Sequence, residues 1–195
     1  YRDNGIDLRL GCKVVDIDRE NREVTRSDGS HAQYDRLLVA TGSSPFILPI
    51  PGKDLQGVIG YRDIADTRAM METARSHRHA LVIGGGLLGL EAANGLRLRG
   101  MEVTVVHLGD WLLDRQLDRT AGKLLQNAGG TRASRFRLNT NTAPCSTMPG
   151  RVASAHFSDG EECPADLVVM RAGIRPNVEL AERAGLECDR GIRVD

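Results

Sequence analysis

The stretch Ala80-Leu-Val-Ile-Gly84-Gly-Gly86-Leu-Leu-Gly89-Leu-Glu91 decides how this chain is read. An apolar run passes straight into glycines spaced Gly84-x-Gly86-x-x-Gly89, and an Ala- and Leu-rich helical pattern starts at once. A short apolar run bounded by glycines reads as a buried strand, and the glycines beyond it read as a strand-to-helix turn. Gly84 would let the strand turn sharply. Gly86, with no Cβ, would let backbone approach a pyrophosphate, and Gly89 would let the helix lie against the strand. The helix N-terminus adds unpaired N–H groups and the positive end of a dipole. In this context the spacing predicts a dinucleotide site. The plain alternative is a glycine-rich turn that binds nothing.

Outward from that turn, a helix over Leu87–Arg99 and, after Gly100, a strand over Glu102–Val106 complete a β–α–β unit. Two parallel strands need such a crossover. Helices are also predicted over Arg62–Arg75, Leu117–Asn127 and Val178–Ala184, and strands over Arg151–Phe157 and Asp166–Met170. The first 40 residues read as β. Asp7–Leu10 and Lys13–Asp18 alternate apolar and polar, and Asn21–Arg26 and His31–Gln33 flank the turn Ser27-Asp28-Gly29-Ser30. The continuous apolar run Leu37–Ala40 predicts a fully buried strand. It stops at Thr41-Gly42, and Pro45, Pro49, Pro51 and Gly52 then mark an extended connector. Residues 129–148 show no clear periodicity beyond Phe136–Leu138 and are expected to be a loop.

The chain has 195 residues with 26 acidic and 26 basic side chains, so no net field points to nucleic acid or an anionic membrane. One Trp, three Tyr and three Phe leave few rings for base stacking. No apolar run approaches the roughly 20 residues of a membrane span. Cys12, Cys145, Cys163 and Cys188 are too scattered for a redox dithiol or a zinc site, and isolated thiols suit a cytoplasmic protein. The start, Tyr1-Arg2-Asp3, has neither an initiator Met nor a signal pattern, so the chain is expected to be part of something longer.

Two further strands end alike, in Val39-Ala40-Thr41-Gly42 and in Val168-Val169-Met170-Arg171-Ala172-Gly173. With the fingerprint between them, the chain resembles the FAD-dependent pyridine nucleotide-disulfide oxidoreductases, flavoproteins with two dinucleotide domains. The stretches Val103–His107, Trp111–Asp118, Ala121–Gln126, Pro164–Val169 and Gly173–Asn177 narrow the resemblance to the large subunits of assimilatory NAD(P)H-nitrite reductases. It implies an α/β, three-layer Rossmann-like fold. Residues 1–60 would be a partial FAD-binding domain with its connector, 61–174 an NAD(P)H-binding domain, and 175–195 the return to the FAD domain. The implied chemistry is hydride transfer from NAD(P)H to FAD, feeding electrons to nitrite reduction. The implied partners are the electron-acceptor domains of the full-length protein and a small subunit. A rubredoxin- or ferredoxin-type reductase, and a non-catalytic nucleotide-binding module, are the alternatives.

The resemblance carries residues position by position. Gly84, Gly86 and Gly89 would bind the pyrophosphate, with Leu87 and Leu88 donating backbone N–H. Glu91 matches a family glutamate near the nicotinamide and flavin, or is simply an acid near a helix N-terminus. Ala172 and Gly173 would cover the nicotinamide, and Thr41 and Gly42 would approach the FAD unless they are an ordinary strand exit. No side chain is expected to be catalytic and none to bind metal, because the cofactors carry the reaction. Iron–sulfur and sirohaem centres are expected only outside this chain.

The pattern departs in places. Where an acid should read the ribose hydroxyls of NAD, about 20 residues after the fingerprint, stands His107, and the nearest acid is Asp110. No arginine pair comes after it to hold a 2′-phosphate, so the nucleotide is open, with NADH favoured. Arg171 puts a charge at an otherwise apolar strand end, facing either a cofactor phosphate or solvent. The family's first glycine fingerprint is expected before Tyr1, so this chain alone is expected to bind NAD(P)H weakly and to retain no FAD.

Overall fold

The computed structural model describes residues 1–130, 134–148 and 150–194. Along the chain come β1 (Val14–Asp18), β2 (Glu23–Arg26), β3 (His31–Gln33), β4 (Ser43–Pro45) and β5 (Val58–Gly60). Then come α1 (Ile64–Ser76), β6 (His79–Ile83), α2 (Leu87–Leu98), β7 (Glu102–Val106), α3 (Arg119–Gly130) and β8 (Ser134–Arg137). The last are β9 (Thr142–Met148), β10 (Arg151–Phe157), β11 (Glu162–Pro164), β12 (Leu167–Met170), β13 (Ile174–Pro176) and α4 (Glu179–Arg183). The chain divides into two compact units, Pro45–Ile174 and Tyr1–Ser44 with Arg175–Asp195. Among the described residues no helix is long and apolar enough to cross a membrane.

The larger unit is built on a parallel sheet in the order β5-β12-β6-β7-β8. Side chains alternate across a strand, so β6 feeds two cores at once. Ala80 and Val82 pack with Met70 of α1 and with Ala92, Ala93 and Leu96 of α2. Leu81 and Ile83 pack with Val152, Ala155 and Phe157 of β10, in the antiparallel sheet β9-β10-β11. Helices, parallel sheet and antiparallel sheet therefore make three layers, the Rossmann-like α/β arrangement expected. Leu81, Val82, Val105, Val168 and Val169 are each 0 % exposed, which is why these strands are apolar throughout rather than alternating.

Local chemistry sets the helix ends. Asp63 accepts the Asp66 N–H at 2.9 Å while Asp66 accepts the Asp63 N–H at 3.2 Å, a reciprocal cap that starts α1 at Ile64. Asp118 accepts the Ala121 N–H at 2.8 Å and starts α3 two residues beyond the expected Leu117. A Cβ on Gly122 would lie 2.4 Å from the Trp111 ring, so this glycine is where the Trp packs on α3.

Three expectations need correction. Residues 129–148 are not simply a loop: α3 runs to Gly130, β8 pairs parallel to β7, and β9 pairs antiparallel to β10. Both strands are sheet edges, where backbone pairing on one side holds the chain without an alternating apolar pattern. Phe136 packs toward the helix-side core, and Arg137 stacks on Phe157 at 4.4 Å and pairs with Asp159 and Glu161. Residues 131–133 and 149 lie outside the described residues. The run Leu37–Ala40, expected as a buried strand, is not in a strand, and Leu38 is 88 % exposed. An apolar run becomes a strand only where a neighbour takes its N–H and C=O groups, and among the described residues none pairs with it. Asp7–Leu10 likewise alternates yet forms no strand.

In the smaller unit β1, β2 and β3 form an antiparallel meander. Its second turn needs Gly29 at φ +80. The Arg183 guanidinium of α4 donates to the Val15 carbonyl at 2.7 Å, tying that helix to β1.

The N-terminal end of the parallel sheet is tied by one carboxylate. Asp166, just before β12, accepts the backbone N–H groups of His79 at 2.8 Å and Arg78 at 3.1 Å, and lies 3.3 Å from His79 Nδ1. Burial alone would push its carboxyl up, but the two N–H donors hold it below the ordinary value of 3.8. A carboxyl depressed by folding adds stability above its unfolded pKa and loses it as pH falls through the folded one. Asp166→Ala is therefore expected to cost about 1–2 kcal/mol at neutral pH, a modest figure for a group still partly exposed. The gap to wild type should close as pH drops below about 3.8 in urea titrations. A gap that does not change with pH would count against this tie.

Two glycines of α2 predict opposite signs. A Cβ on Gly89 would lie 2.0 Å from the Gly84 carbonyl oxygen, so Gly89→Ala should destabilise by about 3 kcal/mol. A Cβ on Gly95 meets nothing within 4 Å, so Gly95→Ala should stabilise by up to about 1 kcal/mol. Urea midpoints of both variants check this, and equal shifts would refute the close contact.

Candidate functional site

Parallel strands put all their C-terminal ends along one edge of the sheet. From β6 the chain moves outward to β7 and β8, and it returns on the other side of β6 as β12. The order reverses between β6 and β12, and the crevice outside the carboxyl ends at such a switch point is where open α/β sheets bind ligands. Gly84 at the end of β6 and the backbone of Arg171 at the end of β12 meet at that point, where a Cβ on Gly84 would lie 2.3 Å from the Arg171 carbonyl oxygen.

Each fingerprint glycine has its own neighbour. Gly84 has φ +120 and donates its N–H to the Val106 carbonyl at 2.8 Å, and a Cβ there would lie 2.3 Å from the Arg171 carbonyl oxygen. Gly89 is excluded from bearing a side chain by Gly84 itself. Gly86 is the N-cap of α2 with no side-chain cap, and a Cβ there would meet nothing within 4 Å. Packing therefore requires Gly84 and Gly89, whereas Gly86 leaves open space. That space lies at the N-terminus of α2, whose first backbone bond is from the Leu90 N–H to the Gly86 carbonyl. The N–H groups of Leu87, Leu88 and Gly89 thus have no partner within the helix. Donors, dipole and open space together fit a pyrophosphate.

Sequence reading passed over Gly85. Its N–H donates to His107 Nδ1 at 3.2 Å, and its carbonyl accepts the Leu113 N–H at 3.0 Å. A Cβ on it would press on Leu112 at 2.8 Å and on the His107 ring at 2.9 Å. Because Nδ1 accepts, the ring proton belongs on Nε2, which is buried without a hydrogen bond and lies 3.5 Å from Asp114 Oδ1. His107 is thus engaged with the glycine turn. Leu113, which closes the other half of that grip, sits at φ +55. Asp110, the nearest acid after β7, faces Arg119 at 3.7 Å, and Arg119 stacks over Trp111 at 5.9 Å.

The remaining expected residues fall in three places. Glu91 is exposed in the second turn of α2, beyond the first-turn N–H groups. Ala172 and Gly173 are exposed just after β12. Gly173 has φ +127, and its carbonyl accepts from the Phe46 N–H at 3.0 Å and Arg171 Nη1 at 3.1 Å. These share a unit with the glycine turn and His107, whereas Thr41 and Gly42 belong to the other unit. There Thr41 Oγ1 donates to the Asn177 carbonyl at 2.6 Å, and Asn177 donates to the carbonyls of Thr41 and Gly42. Thr41, Ser44, Asn177, Lys13, Val14 and Arg183 line an open cleft of about 630 Å³. Asn177 carried the resemblance but was not among the expected site residues. Its role in holding Thr41 and Gly42 is visible only once residues 136 positions apart meet.

The family pattern for pyridine nucleotide-disulphide oxidoreductases covers residues 1–195. The chain is 47 % identical over 195 residues to a nitrite reductase [NAD(P)H] of Bacillus subtilis, covering 100 % of this chain and 24 % of that protein. It is 46 % identical over 197 residues to the assimilatory nitrate reductase electron transfer subunit of the same organism, covering 100 % of this chain and 25 % of that protein. Among solved structures, a ferredoxin reductase from Rhodopseudomonas palustris superposes with a TM-score of 0.93 at 31 % identity, over 98 % of this chain and 47 % of that one. The chain therefore spans about a quarter of the length of the two Bacillus proteins it matches. A parallel sheet with its glycine turn at the switch point, and a family match along the whole length, place this chain in the pyridine nucleotide-disulphide oxidoreductase family.

Proposed function

We propose that this chain is the nicotinamide-dinucleotide-binding part of an FAD-dependent oxidoreductase that feeds electrons to nitrite reduction. The observation that carries the reading is the open space at Gly86, at the helix start where the N–H groups of Leu87, Leu88 and Gly89 have no partner within the helix and no side-chain cap. Those groups would hold the pyrophosphate, and Ala172 and Gly173 would lie along the nicotinamide half. His107 would act by holding Gly85, and so the turn, in its binding geometry. The larger unit, Pro45–Ile174, whose sheet includes β5, would form the NAD(P)H-binding domain, and Tyr1–Ser44 with Arg175–Asp195 part of the FAD-binding domain. In that domain Thr41 and Gly42 would approach the FAD, just before β4, where Gly42 has φ +68 and a Cβ would meet nothing within 4 Å.

When bound, the nicotinamide would supply the hydride and the flavin would accept it. The chain's own work is positioning: backbone donors fix the phosphates, and the glycines keep side chains out of the space the dinucleotide needs. Glu91, exposed on α2, would stand near the nicotinamide and flavin. Nitrite as final acceptor rests on the likeness to the Bacillus nitrite reductase, at 47 % identity. A ferredoxin-type reductase is the second reading, supported by the likeness to the Rhodopseudomonas enzyme. Rapid mixing of the complete flavoprotein with NADH separates both from a mere nucleotide sensor, which would bind NADH yet leave the flavin oxidised.

Gly86→Val is expected to keep the wild-type melting temperature within a few degrees while weakening NADH binding about tenfold or more, read by nucleotide fluorescence. Undiminished binding would remove the dinucleotide from this turn. For His107, Ala should weaken NADH binding about fivefold, and Asn, whose Oδ1 can replace Nδ1 as acceptor for the Gly85 N–H, should restore most of it. If Asn fails to rescue while folding normally, His107 acts by some other contact.

A further inference from the structure

We propose that Arg171 is a binding residue for the phosphate on the nicotinamide side of the dinucleotide, a role resting on the nucleotide reading above. Arg171 comes directly after β12, at the very edge of the switch-point crevice. Its N–H donates to the Ile83 carbonyl at 2.8 Å, and its own carbonyl is the group that forbids a Cβ on Gly84. The backbone of Arg171 and the fingerprint turn are thus locked together, and the Arg171 Cβ lies 3.6 Å from where a Cβ on Gly84 would be.

The guanidinium is poorly matched by the protein around it. Nη1 donates to the nearby Gly173 carbonyl at 3.1 Å, while Nε is buried with no hydrogen-bond partner. Among the described residues no carboxylate forms an ion pair with Arg171, and burial, aided by the charge of Arg62, pushes its pKa down. Holding a partly buried cation without a counter-charge is costly unless an anion takes up the free donors. Guanidinium and phosphate make strong, geometrically matched hydrogen bonds, which makes a phosphate the fitting anion.

The side of the crevice selects which phosphate. In a dinucleotide lying across a switch point, the adenosine ribose is read from the end of the second strand, here β7. The other half must then extend the opposite way from β6, toward β12. Helix N–H groups would take the middle of the pyrophosphate, and Arg171 would take the phosphate nearer the nicotinamide.

Calorimetric titration of the wild-type chain and of Arg171→Ala and Arg171→Lys, with AMP, ADP and NADH at low salt, tests this. AMP carries only the adenosine-side phosphate, whereas ADP and NADH carry both. Arg171→Ala should weaken ADP and NADH about tenfold and leave AMP unchanged, and Arg171→Lys should recover part of the loss because it keeps the charge. Melting temperatures establish that both variants are folded. Equal weakening of AMP, unchanged ADP and NADH, or tighter NADH binding on removing the side chain would each overturn the role of Arg171 alone. A wild-type chain that binds none of the three would overturn the nucleotide reading, and this one with it.

Discussion

Among the described glycines, Gly89 has the least room for a side chain, and the rest of the site depends on that closeness to Gly84. Gly89 of α2 sits so close to the Gly84 carbonyl that a single methyl group would lie 2.0 Å from the oxygen. This brings the helix down on the strand before it, so that Ala92, Ala93 and Leu96 can close over Ala80 and Val82. Gly84 and Gly85 are constrained in turn, by the backbone of Arg171 and by the side chains of Leu112 and His107. Three glycines are consumed by packing. Gly86 alone opens onto empty space, so the same turn that seals the core presents bare backbone to a ligand.

The two ends of the parallel sheet are treated in opposite ways. At the N-terminal end, Asp166 satisfies the backbone N–H groups of Arg78 and His79, and His79 stands close by. Charge and donors are matched there, and the end is closed. At the C-terminal end the α2 N–H groups have no capping side chain and Arg171 has no ion-pair partner among the described residues. Uncapped donors and an unpaired cation therefore stand at one edge, where the strand order reverses. In a chain of zero net charge, this local imbalance is what an anionic ligand would meet.

Much of the fold was legible in advance because it rests on local rules. The β–α–β unit around Gly84–Gly89 arises from a strand buried on both faces, which must be apolar throughout, and from a helix that cannot pack against it without Gly84 and Gly89. The hairpin through Gly29 arises from a backbone angle that glycine adopts most readily. The misreadings share one cause. Leu37–Ala40 looks like a core strand and residues 134–148 look like a loop, yet a strand is defined by its neighbour. β8 and β9 have neighbours, and Leu37–Ala40 has none among the described residues.

The candidate site divides along the same line. The amino-acid sequence by itself determined where the backbone must turn and where glycine is obligatory, because φ, Cβ volume and apolar periodicity are properties of a residue and its near neighbours. Only the tertiary structure decided which glycine is left facing open space, that His107 supports Gly85, and that Asn177 holds Thr41 and Gly42. It also set the backbone of Arg171 against Gly84. These are contacts between segments far apart in the chain, fixed by the order of strands in the sheet, and no local pattern of residues encodes that order.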